Sequence, residues 1–279
     1  METERNKRIA VLTSVRNDTM FLDRWIAHYG AAFGMQSLFV FVDGLDQPRP
    51  KADVNVLQMP FVQRSRTAGD KSRARKASAL AKILFESFDL VIATDVDEFL
   101  VVDPATNQSL ADYLSAMPDR SCTSALGLDV AQHLTLEAPI TDGPFLDQRG
   151  FAKISDRYTK ALILSKPLNW GSGQHRVKSR NFTIDPNLYL FHFGSVDADV
   201  ATARANDGDR IAEGWTNHQA RRTALFDEIT TATPIDGDQR FASARREMNR
   251  RRPIYAWNKP GKLRQDAVIR IPDRFRGTV

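Results

Sequence analysis

The sequence predicts an α/β protein: a mixed, mainly parallel sheet flanked by helices, with a helical C-terminal extension. Three observations carry that reading. The chain opens strand, helix, strand; short apolar runs of strand length end in acids; and beyond Asp197 the pattern turns helical. A parallel pair needs a crossover, and the opening helix supplies one of the usual right-handed kind.

Taken in order, Arg8 to Ser14 is a compact apolar strand and Val15 to Thr19 a polar loop, with Asp18 or Thr19 placed to cap a helix. Leu22, Trp25, Ile26 and Tyr29 recur at helical spacing, and Gly34 supplies a stop. Ser37 to Val42 is a second buried strand ending at Asp43-Gly44, and Val54 to Met59 a weaker third. A helix is predicted over Ser72 to Phe88, with Ala77, Leu80, Leu84 and Phe88 inward. Its first turns carry Lys71, Arg73, Arg75 and Lys76. Cations there oppose the helix dipole, which a bound anion would offset; ordinary solvated surface is the alternative. After the run Leu90 to Ala93 come a short helix over Ser109 to Met117, a strand over Ser124 to Val130, and a Pro-, Gly- and Asp-rich loop over Glu137 to Arg149. Loops of that length are usually functional or mobile. Lys160 to Ser165 and Leu188 to Phe193 complete the predicted strands, and Ala220 to Ile229 and Phe241 to Arg250 are amphipathic helices. This divides the chain into a catalytic domain over 1–197 and a helical extension over 198–279.

The 279 residues, 42% hydrophobic and 26% charged, suit a soluble globular domain with a real core. A lone cysteine, Cys122, allows no internal disulfide and fits a reducing compartment. The first residues lack the apolar stretch of a signal peptide, and no apolar run approaches the ~18 residues that span a bilayer. A cytoplasmic enzyme is the expectation. The net charge of +5 is uneven, with Arg245, Arg246, Arg250, Arg251 and Arg252 crowded together beside Tyr255 and Trp257. That stretch suits a phosphate-rich ligand, an anionic membrane or nucleic acid, and equally a solvated helix face.

The chemistry centres on Leu90-Val91-Ile92-Ala93-Thr94-Asp95-Val96-Asp97-Glu98-Phe99-Leu100. On an extended chain Asp95 and Asp97 point the same way, and two carboxylates that close repel unless a cation lies between them. Oxygen-rich pairs suit Mg²⁺ or Mn²⁺ shared with substrate phosphates. In open parallel sheets, ligands bind beyond the carboxyl ends of strands, where these acids fall. A strand-end turn, where Asp is common, is the alternative.

Leu12-Thr13-Ser14-Val15-Arg16-Asn17-Asp18, the helix Phe21-Leu22-Asp23-Arg24-Trp25-Ile26-Ala27-His28-Tyr29, Asp43-Gly44 and Asp95-Val96-Asp97-Glu98-Phe99-Leu100 together resemble the family 2-like bacterial glycosyltransferases of the GT-A (Rossmann-like) fold. The resemblance implies a nucleotide-sugar donor held by Ser14, Arg16, Asn17 and Asp43; Lys71 and Arg75, cations of the predicted helix's first turns, are taken as further donor contacts. It implies that Asp95 meets the ribose or a metal-bound water, and that Asp97 ligates Mn²⁺ or Mg²⁺ on the donor diphosphate. A third ligand in such folds is a downstream histidine: His192 first, His175 second. Asp43 is followed by Gly44-Leu45-Asp46, a departure from the Ser or Thr usual in that turn. The acceptor implied is a saccharide or lipid-linked saccharide of a surface polysaccharide, which would bring the enzyme to the inner face of the membrane.

An inverting transfer needs a carboxylate to take the acceptor proton. Asp129, Glu137 and Asp147 are the candidates; a retaining mechanism needs none of them. Trp170, beside Gly171 and Gly173, is read as a sugar-stacking platform or a core tryptophan. Three rival readings share some of these features. A haloacid-dehalogenase-type phosphatase wants its Asp pair on the first strand, whereas two strands precede this one. A nucleotidyltransferase wants a Gly-rich loop after the first strand, and Val15 to Asp18 has none. A basic module binding RNA or membrane leaves the acids unexplained.

Overall fold

Apolar runs too short for helices become the buried strands, and the amphipathic stretches between them become the covering helices. A computed structural model describes residues 6–118, 120–250, 252, 254–264 and 267–279, side chains at 216–219 and 256 excepted. The N-terminal half runs β1 (Ile9–Val15), α1 (Thr19–Phe33), β2 (Leu38–Asp43), β3 (Asn55–Met59), α2 (Arg66–Leu84), β4 (Leu90–Ala93), β5 (Glu98–Val102) and α3 (Leu110–Ala116). It continues through β6 (Cys122–Ala131), α4 (Phe145–Gln148), β7 (Phe151–Ile154), β8 (Ile163–Leu164) and β9 (Ile184–Ser195). The remainder is α5 (Ala198–Ala205), α6 (Gly208–Ala212), α7 (Thr216–Thr231), β10 (Ile235–Asp236), α8 (Gly237–Arg250) and β11 (Val268–Arg270).

The result is an α/β fold of Rossmann-like arrangement. One mixed sheet runs β10-β11-β7-β6-β8-β4-β1-β2-β3, with β9 pairing both β6 and β5 off that path. β4, β1, β2 and β3 are mutually parallel. β8 pairs antiparallel with both β4 and β6 and so joins this half to the rest. The chain steps outward from β1 to β3 and then returns to the other side of β1. For right-handed crossovers that reversal sets α1 and α2 on opposite faces. It also opens a crevice at the carboxyl ends of β1 and β4, the switch point where such sheets bind ligands.

α1 shows how the sequence builds this edge. Phe21, Leu22, Trp25, Ile26 and Tyr29 are buried on one face, and Gly34 ends the helix at φ 84°. That face also clamps the acid segment. Trp25 Nε1 donates to Thr94 Oγ1 (2.9 Å), Tyr29 Oη donates to Glu98 O (3.2 Å) and accepts from Leu100 N (2.8 Å), and His28 Nε2 donates to Leu100 O (3.0 Å). The loop carrying Asp95 and Asp97 is therefore bolted to a core helix on its far side.

Several elements differ from the sequence reading. α2 begins at Arg66, two turns before Ser72, and ends at Leu84. Its first turns lack apolar periodicity because Arg66, Asp70 and Arg73 face a cleft instead of the core. Glu98 to Val102 is a strand of its own, antiparallel to β9, so the acids lie in a tight turn between two strands. The predicted strand over Lys160 to Ser165 shrinks to two residues, and β7, β10 and β11 have no counterpart in the sequence reading. The loop over Glu137 to Arg149 contains α4 and is held rigidly. Glu137 accepts from His133 N (2.8 Å) and Gly150 N (2.7 Å), while Arg149 is buried against Val196 O. Phe241, Ala244, Met248, Ile269 and Phe275 pack into the same core as β1 and β4. Among the described residues no helix is long and apolar enough to cross a membrane.

Candidate active site

The crevice at the ends of β1 and β4 is a cleft of about 470 Å³. Ser14, Arg16, Asn17, Asp43, Asp95, Asp97, His175 and His192 all line it, so most of the residues singled out in the sequence converge on one place. Arg16 donates through Nη1 to Asp43 O (2.9 Å) and is paired with Asp46 and Asp209. Gly44 is needed here: its φ is 136°, and a Cβ would collide with Arg16 Nη1 and Asp46 Oδ1. Asn17, in the left-handed region at φ 56°, donates to Asp207 (3.0 Å) and Asp209 (2.9 Å).

The acids are held by cations of the chain itself. Lys160, 3% exposed, places Nζ 2.6 Å from both Asp95 Oδ2 and Glu98 Oε1. Asp95 also closes the turn, its backbone N donating to Glu98 Oε2 (3.1 Å). Burial alone would push Asp95 up, but the Lys160 ammonium outweighs it and leaves the carboxyl below its ordinary range. Burial wins at fully enclosed Glu98, pushing it to about 7 against Lys160, with Asp95 adding repulsion. Asp97 Oδ2 receives Arg204 Nη2 at 2.8 Å, with Arg222 Nη2 at 3.5 Å and His192 Nε2 at 3.6 Å. Its burial is overcome chiefly by Arg204 and then His192, so Asp97 stays ionised well below the usual carboxylate range.

His192 lies at the end of β9, and its register with Glu98 on β5 and Asp129 on β6 brings all three together. Nδ1 donates to Asp129 Oδ1 (2.7 Å), which turns Nε2 toward Asp97. The Tyr158 ring stacks on the imidazole at 3.7 Å between centroids. Burial disfavours the imidazolium, but Asp97 and Asp129 more than offset it and raise His192 to about 9. His175 behaves oppositely. Burial and the nearby Lys160 ammonium lower it to about 4, so it faces the cleft as a neutral imidazole.

The other candidates fall elsewhere. Lys71 and Arg75 are exposed and outside the cleft lining, because an earlier helix start turns residues 66, 70, 73 and 74 toward it. Asp129 orients His192 and is outside the cleft lining. Glu137 is committed to backbone amides of its loop, and Asp147 accepts from Gly277 N (2.7 Å) near the end of the chain. None of these three carboxylates is placed to take a proton in the cleft. Trp170 is 3% exposed, its Nε1 donating to Ala161 O (2.7 Å), so it is a core residue and offers no stacking platform. Asp18 makes no side-chain cap to α1; it pairs with Arg204 and Arg210. In the arginine stretch, Arg245 is buried on Asp185 O and Leu188 O, and Arg252 holds Phe182 O and Trp257 O. Arg251 lies outside the described residues. Arg246 and Arg250 are exposed, as are Tyr255 and Trp257.

Of the first-turn cations considered for an anion, Arg73 does line the cleft; the residues that sequence reasoning missed are Lys160, Arg204, Arg210 and Arg222. Lys160 carried a signal, a lysine set within an apolar strand. The arginines of α5, α6 and α7 carried none, since charged residues on amphipathic helices read as solvated surface.

No family model matches this chain, and no curated protein matches it. Solved structures do match. Among them, the mannose-1-phosphate geranyltransferase from Thermus thermophilus is similar over 96% of this chain and 76% of its own, at 12% identity and a TM-score of 0.32. A likeness that slight bears on neither site nor activity.

Proposed function

We propose that this protein is a glycosyltransferase that moves a sugar from a nucleotide-sugar donor to a saccharide or lipid-linked acceptor. The observation that carries this reading is the convergence of Ser14, Asp43, Asp95 and Asp97 at the carboxyl ends of parallel strands, in one cleft with Arg204 and Arg222. A nucleotide sugar needs both halves of that constellation. Its ribose and base present hydroxyls and amides, which Asp43, Asp95 and Asn17 accept from or donate to. Its phosphates need cations, and these become more negative as the bond to the sugar breaks. Preorganised guanidinium groups in a water-poor site stabilise that developing charge without reorganising. Asp97 and Asp18 hold the arginines in place, so removal of either acid misplaces the leaving-group contacts.

The phosphatase reading keeps one point in its favour, an Asp95 paired with a lysine. It lacks the strand order, because the Asp pair follows β4 rather than β1. The experiment that tests the proposal is calorimetric titration with UDP, GDP, CMP and their common sugar conjugates, followed by assay for nucleotide release with saccharide acceptors. Binding of one nucleotide class and acceptor-dependent release of that nucleotide support a transferase. Failure of every donor to bind, with hydrolysis of a simple phosphomonoester, would replace it by the phosphatase.

A further inference from the structure

Resting on that reading, we propose that the donor phosphates are neutralised by side-chain cations, with Arg222 as their principal seat, and that donor binding requires no divalent ion. The acids resemble a metal pair in sequence, but their surroundings do not suit a dication. Asp97 Oδ2 already faces two guanidinium groups, at 2.8 Å from Arg204 and 3.5 Å from Arg222. An ion on that oxygen would lie within a few ångströms of both, where repulsion between cations in a buried site is severe. Asp95 Oδ2 is already paired with the Lys160 ammonium at 2.6 Å. The alignment of Asp129, His192 and Asp97 would orient an imidazole ligand, but the next neighbour is the Arg204 guanidinium and not another ligand atom. Among the described residues, no group of three or more His, Cys, Asp or Glu side chains converges as a metal cage.

Arg222 supplies the independent observation. Its side chain is nine-tenths buried in the wall of the cleft, and its Nε and Nη1 have no hydrogen-bond partner. Burying an unsatisfied charged donor is costly, and an anion with several acceptor oxygens removes that cost. Gly194 makes the position possible. A Cβ there would fall 2.7 Å from Arg222 Nη2 and 2.5 Å from His192 Cε1, so only glycine lets the two cations stand side by side. Nη2 lies 3.5 Å from Asp97, and the buried Nε and Nη1 donors, which have no partner, are the ones a phosphate entering the cleft would satisfy. Arg73, Arg157 and Arg221 on the same lining add positive potential toward the mouth.

The test is calorimetry of the full chain with UDP, GDP and CMP, once after exhaustive dialysis against EDTA and once with Mn²⁺. The expected result is that one nucleotide binds in EDTA, with an affinity in Mn²⁺ no more than about threefold different, as befits a fixed-cation site. Arg222→Met, which keeps the volume and removes the charge, should weaken that binding by about tenfold or more. Arg222→Lys should restore part of it, and thermal unfolding of each variant distinguishes lost binding from lost fold. Binding that appears only with Mn²⁺ would overturn the metal-free proposal and leave the glycosyltransferase reading standing. Binding in EDTA that Arg222→Met leaves intact would overturn the role of Arg222. Absence of binding by every nucleotide in both conditions would overturn the glycosyltransferase reading itself.

Discussion

The cleft is made from two regions of opposite character. The strand ends of the N-terminal half, at Ser14, Asp43, Asp95 and Asp97, bring acids and small polar groups on rigid parallel strands. The helices α5 to α7 bring Arg204, Arg210 and Arg222 from more than a hundred residues later in the chain. At Asp97 and Asp18 the acids come from the strand side and the arginines from the helices, while Arg16 reaches the other way to Asp209. Without the helices Asp97 and Asp18 would lose their arginines, and without those acids the buried guanidinium groups of Arg204 and Arg222 would lack counter-charges. Their mutual neutralisation joins the helices to the sheet edge and at the same time builds the binding surface.

The strongest way to break this pairing is Asp97→Ala. It removes the carboxylate shared by Arg204, Arg222 and His192; Arg204 keeps Asp18 and His192 keeps Asp129, but Arg222 loses the acid it faces, and stability should fall by about 3–5 kcal/mol. Adding Arg222→Met to that variant should recover part of the loss, because it removes the buried charge whose acid partner is gone; chemical denaturation of the two variants checks both signs. Asp43→Ala is the contrast on the strand side. Asp43 pairs with a partly exposed Lys76 at 3.3 Å, so the change should cost no more than about 1 kcal/mol.

A pH titration sharpens the comparison next. His192 gains its proton affinity from acids on both sides, Asp97 and Asp129, and is raised from 6.5 to about 9 in the folded chain. The folded state therefore holds a proton that the unfolded chain releases. The stabilisation is full below pH 6.5 and is lost as pH rises through about 9, amounting to up to about 3 kcal/mol. Glu98, held up to about 7 by burial, ionises over a lower window, so the loss above pH 7 belongs to His192. Denaturation midpoints between pH 6 and 10 should fall, and Asp129→Asn should flatten that fall.

The difference between the two regions also explains what was legible in the sequence. The strand–helix–strand opening, the helix stop at Gly34 and the gathering of Ser14, Asp43, Asp95 and Asp97 could all be read, because apolar runs and strand-end acids are local signals. Trp25 and Tyr29 read as core positions, and they do pin the acid turn. The start of α2 could not be read, because Arg66, Asp70 and Arg73 face a cleft and interrupt the apolar period. Arg204 and Arg222 could not be read either, since their partners lie on strands distant in the chain. Asp129 stands out in the sequence as a carboxylate, but its task of orienting His192 depends on the β6–β9 register.

Smaller effects test the edges of the account. Trp170→Phe should lose the hydrogen bond to Ala161 and core volume, costing about 2 kcal/mol by thermal unfolding. Nucleotide affinity should stay unchanged, since Trp170 does not line the cleft. At the rim, Asp209→Asn removes the 2.8 Å pairing with Arg16, where the acid is about a third exposed. Its stability cost should stay under about 1 kcal/mol and shrink further in high salt.

The measurement that bears most directly on the union of the two regions is hydrogen exchange of the full chain with and without saturating nucleotide. The account predicts slowed exchange in both places at once: the turn after β1 from Arg16 to Asp18, and the helical segment from Arg204 to Arg222. Protection confined to the strand ends, with the helices exchanging as in the free protein, would contradict it.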